Sequence, residues 1–141
     1  MPDKYFYDTN LWVYKFLESN IETDKEKKKI VESFLISHSS IVVSTQVLNE
    51  LSNVLLKKYK IDEIKVKTFL ESLLDISALQ TVNEITLFKA LELRKGYSLS
   101  FYDALIISSA LHQGCKILFS EDLHHKLVIE KKLTIINPFQ S

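Results

Sequence analysis

KYFYDTNLWVYKFLES, residues 4–19, decides the fold. KYFY (4–7) is a short aromatic run suited to a buried strand, and the pattern changes to helical spacing over 10–19. The junction is Asp8-Thr9-Asn10, three residues that each cap helices well. A strand that hands directly on to a helix is the first half of a strand–helix–strand unit. The rest of the chain repeats the alternation. IVVS (41–44), ALQTV (78–82), KILF (116–119) and LTII (133–136) read as further strands. Helical periodicity fills 24–37, 45–59, 62–76, 84–95 and 101–113. In 24–37 the polar face DKEKKK opposes Ile30, Val31, Phe34 and Leu35. In 45–59, Val47, Leu48, Leu51, Val54 and Leu55 share one stripe at roughly 100° per residue. Gly96 and Gly114 fall where helices should end. The expectation is a three-layer α/β/α sandwich with a mostly parallel sheet of about five strands.

With 141 residues, the chain has the length of one domain, taken as 1–141. A hydrophobic fraction of 46%, with 8 Phe and 6 Tyr, supports a packed core and excludes a disordered segment. The 18 basic and 18 acidic residues balance, so any nucleic-acid contact must come from a local patch. The single cysteine, Cys115, forms no internal disulfide and reads as a buried thiol in a reducing compartment. No run approaches the ~18 apolar residues of a membrane span, and MPDKYFYD has charges where a signal peptide needs its apolar run. A soluble, cytoplasmic protein is expected.

The chemistry concentrates in four acids at the ends of apolar runs: Asp8, Glu50, Asp103 and Asp122. Each has a plain explanation. Asp8 could cap the following helix, but Thr9 and Asn10 cap equally well. Glu50 lies at the edge of its apolar stripe and could be a surface residue. Asp103 shares a helical face with Ile106, Ile107 and Ala110, and Ser100-Phe-Tyr-Asp103 also fits a capping box. Asp122 ends KILFSED and could start a turn, and spacing leaves open whether Glu121 or Asp122 faces inward. Taken together they are harder to dismiss. In an open α/β sheet, ligands bind beyond the carboxyl ends of the strands, where these acids fall. Clustered carboxylates need a positive occupant, and all-oxygen ligands select Mg²⁺ or Mn²⁺. A lone cysteine and the tandem His124-His125 offer no zinc spacing, and these histidines and His112 read as exposed. Glu22, Glu32, Glu63 and Glu71 sit among lysines as solvated surface. Lys57, Lys58 and Lys60, with Tyr59 able to stack, and Arg94 and Lys95 are the candidate contacts to an anionic substrate. Trp12 reads as core or dimer surface.

YFYDTNLWVY, STQVLNELSNVL, SFYDALIISSAL and ILFSEDL resemble, in order, the four signature segments of PIN-domain nucleases. The similarity is to the small bacterial subgroup of VapC toxins, and the closing IINPF resembles that subgroup's last strand. It spans residue 4 to about 139. The resemblance implies about five parallel strands between helices and makes Asp8, Glu50, Asp103 and Asp122 the carboxylates that hold divalent metal. It implies that Thr9, Asn10 and Ser120 hydrogen-bond those carboxylates or a bound water. It further implies RNA cleavage leaving a 5′-phosphate and a 3′-hydroxyl, a small antitoxin partner and a homodimer. One departure is local: relatives often have a Gly-containing turn after S-E-D, where this chain has His124-His125-Lys126-Leu127. Rival readings are a catalytically silent PIN-like binding module and a housekeeping RNA-processing nuclease. A phosphatase with an Asp nucleophile after strand one would need a second Asp where Asn10 stands.

Overall fold

The computed structural model describes residues 2–140. Its elements run β1 (Tyr5–Tyr7), α1 (Thr9–Phe16), α2 (Glu22–Ser37), β2 (Ile41–Ser44), α3 (Thr45–Asn53), α4 (Glu63–Asp75) and β3 (Ser77–Gln80). They continue with α5 (Glu84–Gly96), α6 (Phe101–His112), β4 (Ile117–Phe119), β5 (Val128–Ile129) and β6 (Leu133–Ile136). Every expected strand and helix is present. The sheet has six strands, because the short β5 was not anticipated, and α3 passes into a wider π-type turn over Val54–Lys58. Gly114 closes α6 in the left-handed conformation (φ 73°), whereas Gly96 is the last residue of α5 and needs no such geometry.

Short polar side chains start the helices as their chemistry dictates. Asp8, Ser44, Asp62, Asn83 and Ser100 each accept a backbone N–H from the first turn of the helix that follows. Two of these caps stand at strand ends, Asp8 directly after β1 and Ser44 as the last residue of β2, so the chain turns into a helix at the carboxyl edge of the sheet.

The strand order is β3-β2-β1-β4-β6-β5, parallel throughout except for β5 against β6. The chain builds outward from β1 through β2 to β3, then returns to the other side of β1 with β4. That reversal leaves a crevice between the carboxyl ends of β1 and β4, the place where open α/β sheets bind ligands. Phe6, Val42, Val43, Leu118 and Ile135 are fully buried in the sheet, and α6 buries every residue from Ala104 to Ala110. Trp12 is entirely core, its indole N–H donating to the Tyr7 carbonyl at 3.1 Å. Cys115 is buried, and burial pushes its thiol up to about 12, so it is inert as a thiolate. No described helix is long and apolar enough to cross a membrane.

Candidate functional site

Asp8 stands at the crevice. Its backbone N–H donates to the Phe119 carbonyl (3.0 Å), extending the β1–β4 ladder by one residue beyond the strand. Its side chain is fixed at both oxygens: Thr9 N–H donates to Oδ1 at 2.7 Å and the Ser120 hydroxyl to Oδ2 at 2.9 Å. Asp8 therefore caps α1, as its plain reading expects, and also faces the end of β4 through Ser120. The Thr9 hydroxyl makes no hydrogen bond although it is buried.

The other three acids arrive from different elements. Glu50 lies on α3, where Gln46 Nε2 donates to its Oε1 at 2.8 Å and also to the Tyr102 carbonyl at 3.1 Å. This bridge ties α3 to the start of α6, where Asp103 occupies the first turn and takes part in the cap with Ser100. Asp122 follows β4, and its Oδ2 accepts from Asn10 Nδ2 at 2.8 Å. Asp103 and Asp122 line one cleft with Tyr97, Ser98, Leu99 and His124.

Electrostatics show which acids feel each other. Burial raises the Asp8 carboxyl to about 6; the Thr9 and Ser120 hydrogen bonds oppose this, and the charges of Glu50 and Asp103 add to it. Glu50 is raised by burial and by Asp103, with the Gln46 hydrogen bond opposing. Among the described residues, none of the four acids pairs with a lysine or arginine. They are neighbours rather than a closed cage: no set of three or more His, Cys, Asp or Glu side chains among the described residues has the spacing of a formed metal site. Mutual repulsion of unpaired carboxylates is a sufficient reason for them to stand apart. The donor set itself is hard oxygen throughout, which fits Mg²⁺ or Mn²⁺.

The choice between Glu121 and Asp122 is decided by geometry. Glu121 points away from the crevice into an ion pair with Lys27 (2.5 Å) and a hydrogen bond from Tyr14 (2.8 Å). Lys27 also lies over the rings of Tyr14 and Phe139, and Asn137 Nδ2 donates to the Glu121 carbonyl. This latch joins α1, α2, the β4 loop and the C-terminal segment. Its only sequence signal was a glutamate next to the expected aspartate.

Other sequence candidates fall elsewhere. Lys57, Lys58 and Lys60 lie past the end of α3, with Lys58 beside Tyr59 and near Leu17 and Glu18. Lys57 and Lys58 lie about 11–12 Å from Glu50 along the helix at ~1.5 Å per residue, Lys60 lies beyond its end, and none of the three lines the acidic cleft. Lys60 is held in the left-handed conformation (φ 56°). Arg94 donates to the Leu99 carbonyl, so it braces the loop that forms one wall of the cleft. His124 is exposed in that cleft, while His125 is half-buried and accepts from Asn137 N–H at 2.9 Å.

Comparison with known proteins adds the context. The family model described as the PIN domain matches residues 5–130. No curated protein matches the sequence. Among solved structures, the chain is similar to a toxin–antitoxin complex from Klebsiella pneumoniae (TM-score 0.70, 17% identity, covering 96% of this chain and 98% of that one). It is also similar to VapC20 of Mycobacterium tuberculosis, described as a sarcin–ricin-loop-cleaving toxin (TM-score 0.64, 17% identity, 84% and 91% covered). A third similarity is to VapBC2 of Rickettsia felis, bound to a DNA fragment from its promoter (TM-score 0.58, 22% identity, 84% and 88% covered). At these identities the likeness establishes the fold.

Proposed function

Because this chain belongs to the PIN-domain family, we propose that it is a Mg²⁺- or Mn²⁺-dependent endoribonuclease, the toxin of a toxin–antitoxin pair. The observation that carries the proposal is electrostatic. Burial raises the Asp8 and Glu50 carboxyls at a sheet-end crevice, the charges of Glu50 and Asp103 add to the first and that of Asp103 to the second, and no lysine or arginine among the described residues pairs with them. An arrangement that unfavourable makes sense where a cation is the intended counter-charge.

In this reading Asp8, Glu50, Asp103 and Asp122 hold the ion. Ser120 O–H and Thr9 N–H fix the rotamer of Asp8, Asn10 orients Asp122, and Gln46 orients Glu50. Bound there, one or two divalent ions would supply Lewis-acid chemistry, lowering the pKa of a water and neutralising charge on the phosphate. The side chains' own part is to hold oxygen donors ready in fixed orientations, with no protein nucleophile. Arg94 is the cation best placed to meet a phosphate chain entering the cleft, and Lys57, Lys58 and Lys60 would act only on a longer substrate.

The partners follow the same reading: an RNA substrate, an antitoxin and a second copy of the chain. The structural relatives described as toxin–antitoxin complexes support the antitoxin. The outward face of α5 supports a protein partner, since Ile85, Phe88 and Leu91 are 58%, 62% and 50% exposed on one stripe. Residues 1–141 act as one domain.

A binding-only module is the second reading, favoured by the open spacing of the acids. One experiment separates the two. Glu50→Gln and Asp103→Asn should each lower Mg²⁺-dependent RNA cleavage by at least about 100-fold with an unchanged circular dichroism spectrum. Parental cleavage rates in both variants, or an EDTA-insensitive rate, would sink the metal-nuclease proposal.

A further inference from the structure

Beside the acids lies a second, mostly apolar cavity of about 270 Å³. Its walls are Val82 and the buried Leu105, and its rim carries Asn49, Glu50 and Tyr102. It is continuous with the site through two residues: Glu50 belongs to both, and Tyr102 directly precedes Asp103. The volume is below the ~300–1,000 Å³ of pockets that enclose a drug-sized ligand, so it suits one flat group.

Three features specify what that group is. Tyr102 is 68% exposed, an aromatic ring left in solvent at the mouth of the cavity. Asn49 is exposed on the rim and offers both a donor and an acceptor. Gln46, only 8% exposed, lines the same cavity, and its Oε1 is a buried acceptor with no hydrogen-bond partner. Its Nε2 is already committed to Glu50 and the Tyr102 carbonyl, which fixes the amide so that Oε1 is the unpaired end. A stacking ring, apolar walls and amides with spare hydrogen-bonding capacity are what a splayed RNA base requires.

Resting on the ribonuclease reading, we propose that this cavity is a nucleobase subsite, receiving one base of the RNA next to the scissile phosphate against the Tyr102 ring. The base's N–H edge meets the exposed Asn49 amide, with the buried Gln46 behind it, while its phosphate lies toward the acids. The subsite therefore sets part of the cleavage preference.

A substrate–enzyme cycle tests it. A short oligoribonucleotide with one cut site is compared with versions carrying a single abasic residue at each position flanking the cut, using the parent and Tyr102→Ala. The substitution leaves the Tyr102 carbonyl, and hence the Gln46 bridge, in place. In the parent, one abasic position should lower kcat/KM by about 10–100-fold, the range of base–aromatic stacking. In Tyr102→Ala the same abasic change should cost under about 3-fold, and Tyr102→Phe should behave as the parent. An abasic penalty as large in Tyr102→Ala as in the parent overturns the subsite. So does a Tyr102→Ala defect confined to binding a partner protein. If neither protein cuts RNA, it is the nuclease reading that fails. Fluorescence polarisation of the same base-bearing and abasic RNAs then decides the subsite: a base preference lost in Tyr102→Ala supports it, and equal affinities overturn it.

Discussion

At the scale of single residues, burial sets the Asp8 carboxylate against stability. Its carboxyl is raised to about 6, so between pH 4 and 6 the folded state binds more protons than the unfolded chain. The metal-free protein therefore loses stability from this group as pH rises through that window. The loss reaches about 1–3 kcal/mol at neutral pH, from a shift of roughly two units at ~1.4 kcal/mol each. Asp8→Asn keeps an acceptor for Thr9 N–H and removes the charge. It should abolish cleavage yet raise the thermal midpoint of the EDTA-treated protein above pH 6, with little difference near pH 4. An EDTA-treated Asp8→Asn protein less stable than the parent at pH 7 would contradict the account. Glu121 behaves in the opposite way. Its bonds to Lys27 and Tyr14 are partly buried and charge-assisted, so Glu121→Ala should cost about 1–2 kcal/mol and raise the Mg²⁺ concentration for half-maximal activity, because Asp122 loses its anchored neighbour. Parental stability and Mg²⁺ dependence in that variant would show the latch to be incidental. Adjacent acids cannot be told apart by spacing. Lys27, 94 positions away, decided between them.

At the scale of elements, the helices were legible because their apolar stripes and Asp, Ser and Asn caps agree, and four of the longer strands because their runs are mostly apolar. β3, with Ser77 and Gln80 at its ends and little of it buried, carries the weakest signal. The β5–β6 hairpin was not legible. Its turn places Glu130 (φ 52°) and Lys131 (φ 59°) at the two positions where Asn-Gly is the usual signal, with Lys132 N–H closing on the Ile129 carbonyl at 2.9 Å. External contacts compensate: Lys89 pairs with Glu130 at 2.7 Å and the Tyr97 hydroxyl accepts from Glu130 N–H. Lys126 is likewise left-handed (φ 71°), in the loop after β4. Lys131→Gly, which leaves the Lys89 pair intact, should stabilise the fold by about 1 kcal/mol, read as a higher urea midpoint at constant slope. A lower midpoint would mean that the Lys131 side chain contributes contacts worth more than the strain. The widened turn at Val54–Lys58 also escaped the periodic reading, since one extra residue per turn leaves Leu55 buried and changes no apolar position that a stripe would reveal.

For the whole molecule, the sheet order is what turns scattered acids into neighbours. β4 returns to the far side of β1, so Ser120 reaches Asp8 across 112 residues and Asp122 reaches Asn10 across the same span. α1, α2 and the C-terminal segment converge on the latch at Glu121, and α3 and α6 meet through Gln46. Contacts so widely shared predict one cooperative unit. Unfolding followed by Trp12 fluorescence and by far-ultraviolet circular dichroism should give coincident midpoints, and separated midpoints would divide the chain into more than one folding unit. Sequence by itself determined the strand–helix alternation and the helix starts, because each rests on local periodicity or on side-chain chemistry within a few residues. Tertiary structure alone decided which acid of the Glu121-Asp122 pair faces the crevice. It also set the cavity under Tyr102 beside the acids, by joining α3 to α6 through Gln46. The reason is physical: these are contacts between residues tens of positions apart, fixed by strand order and helix direction, which no local pattern encodes.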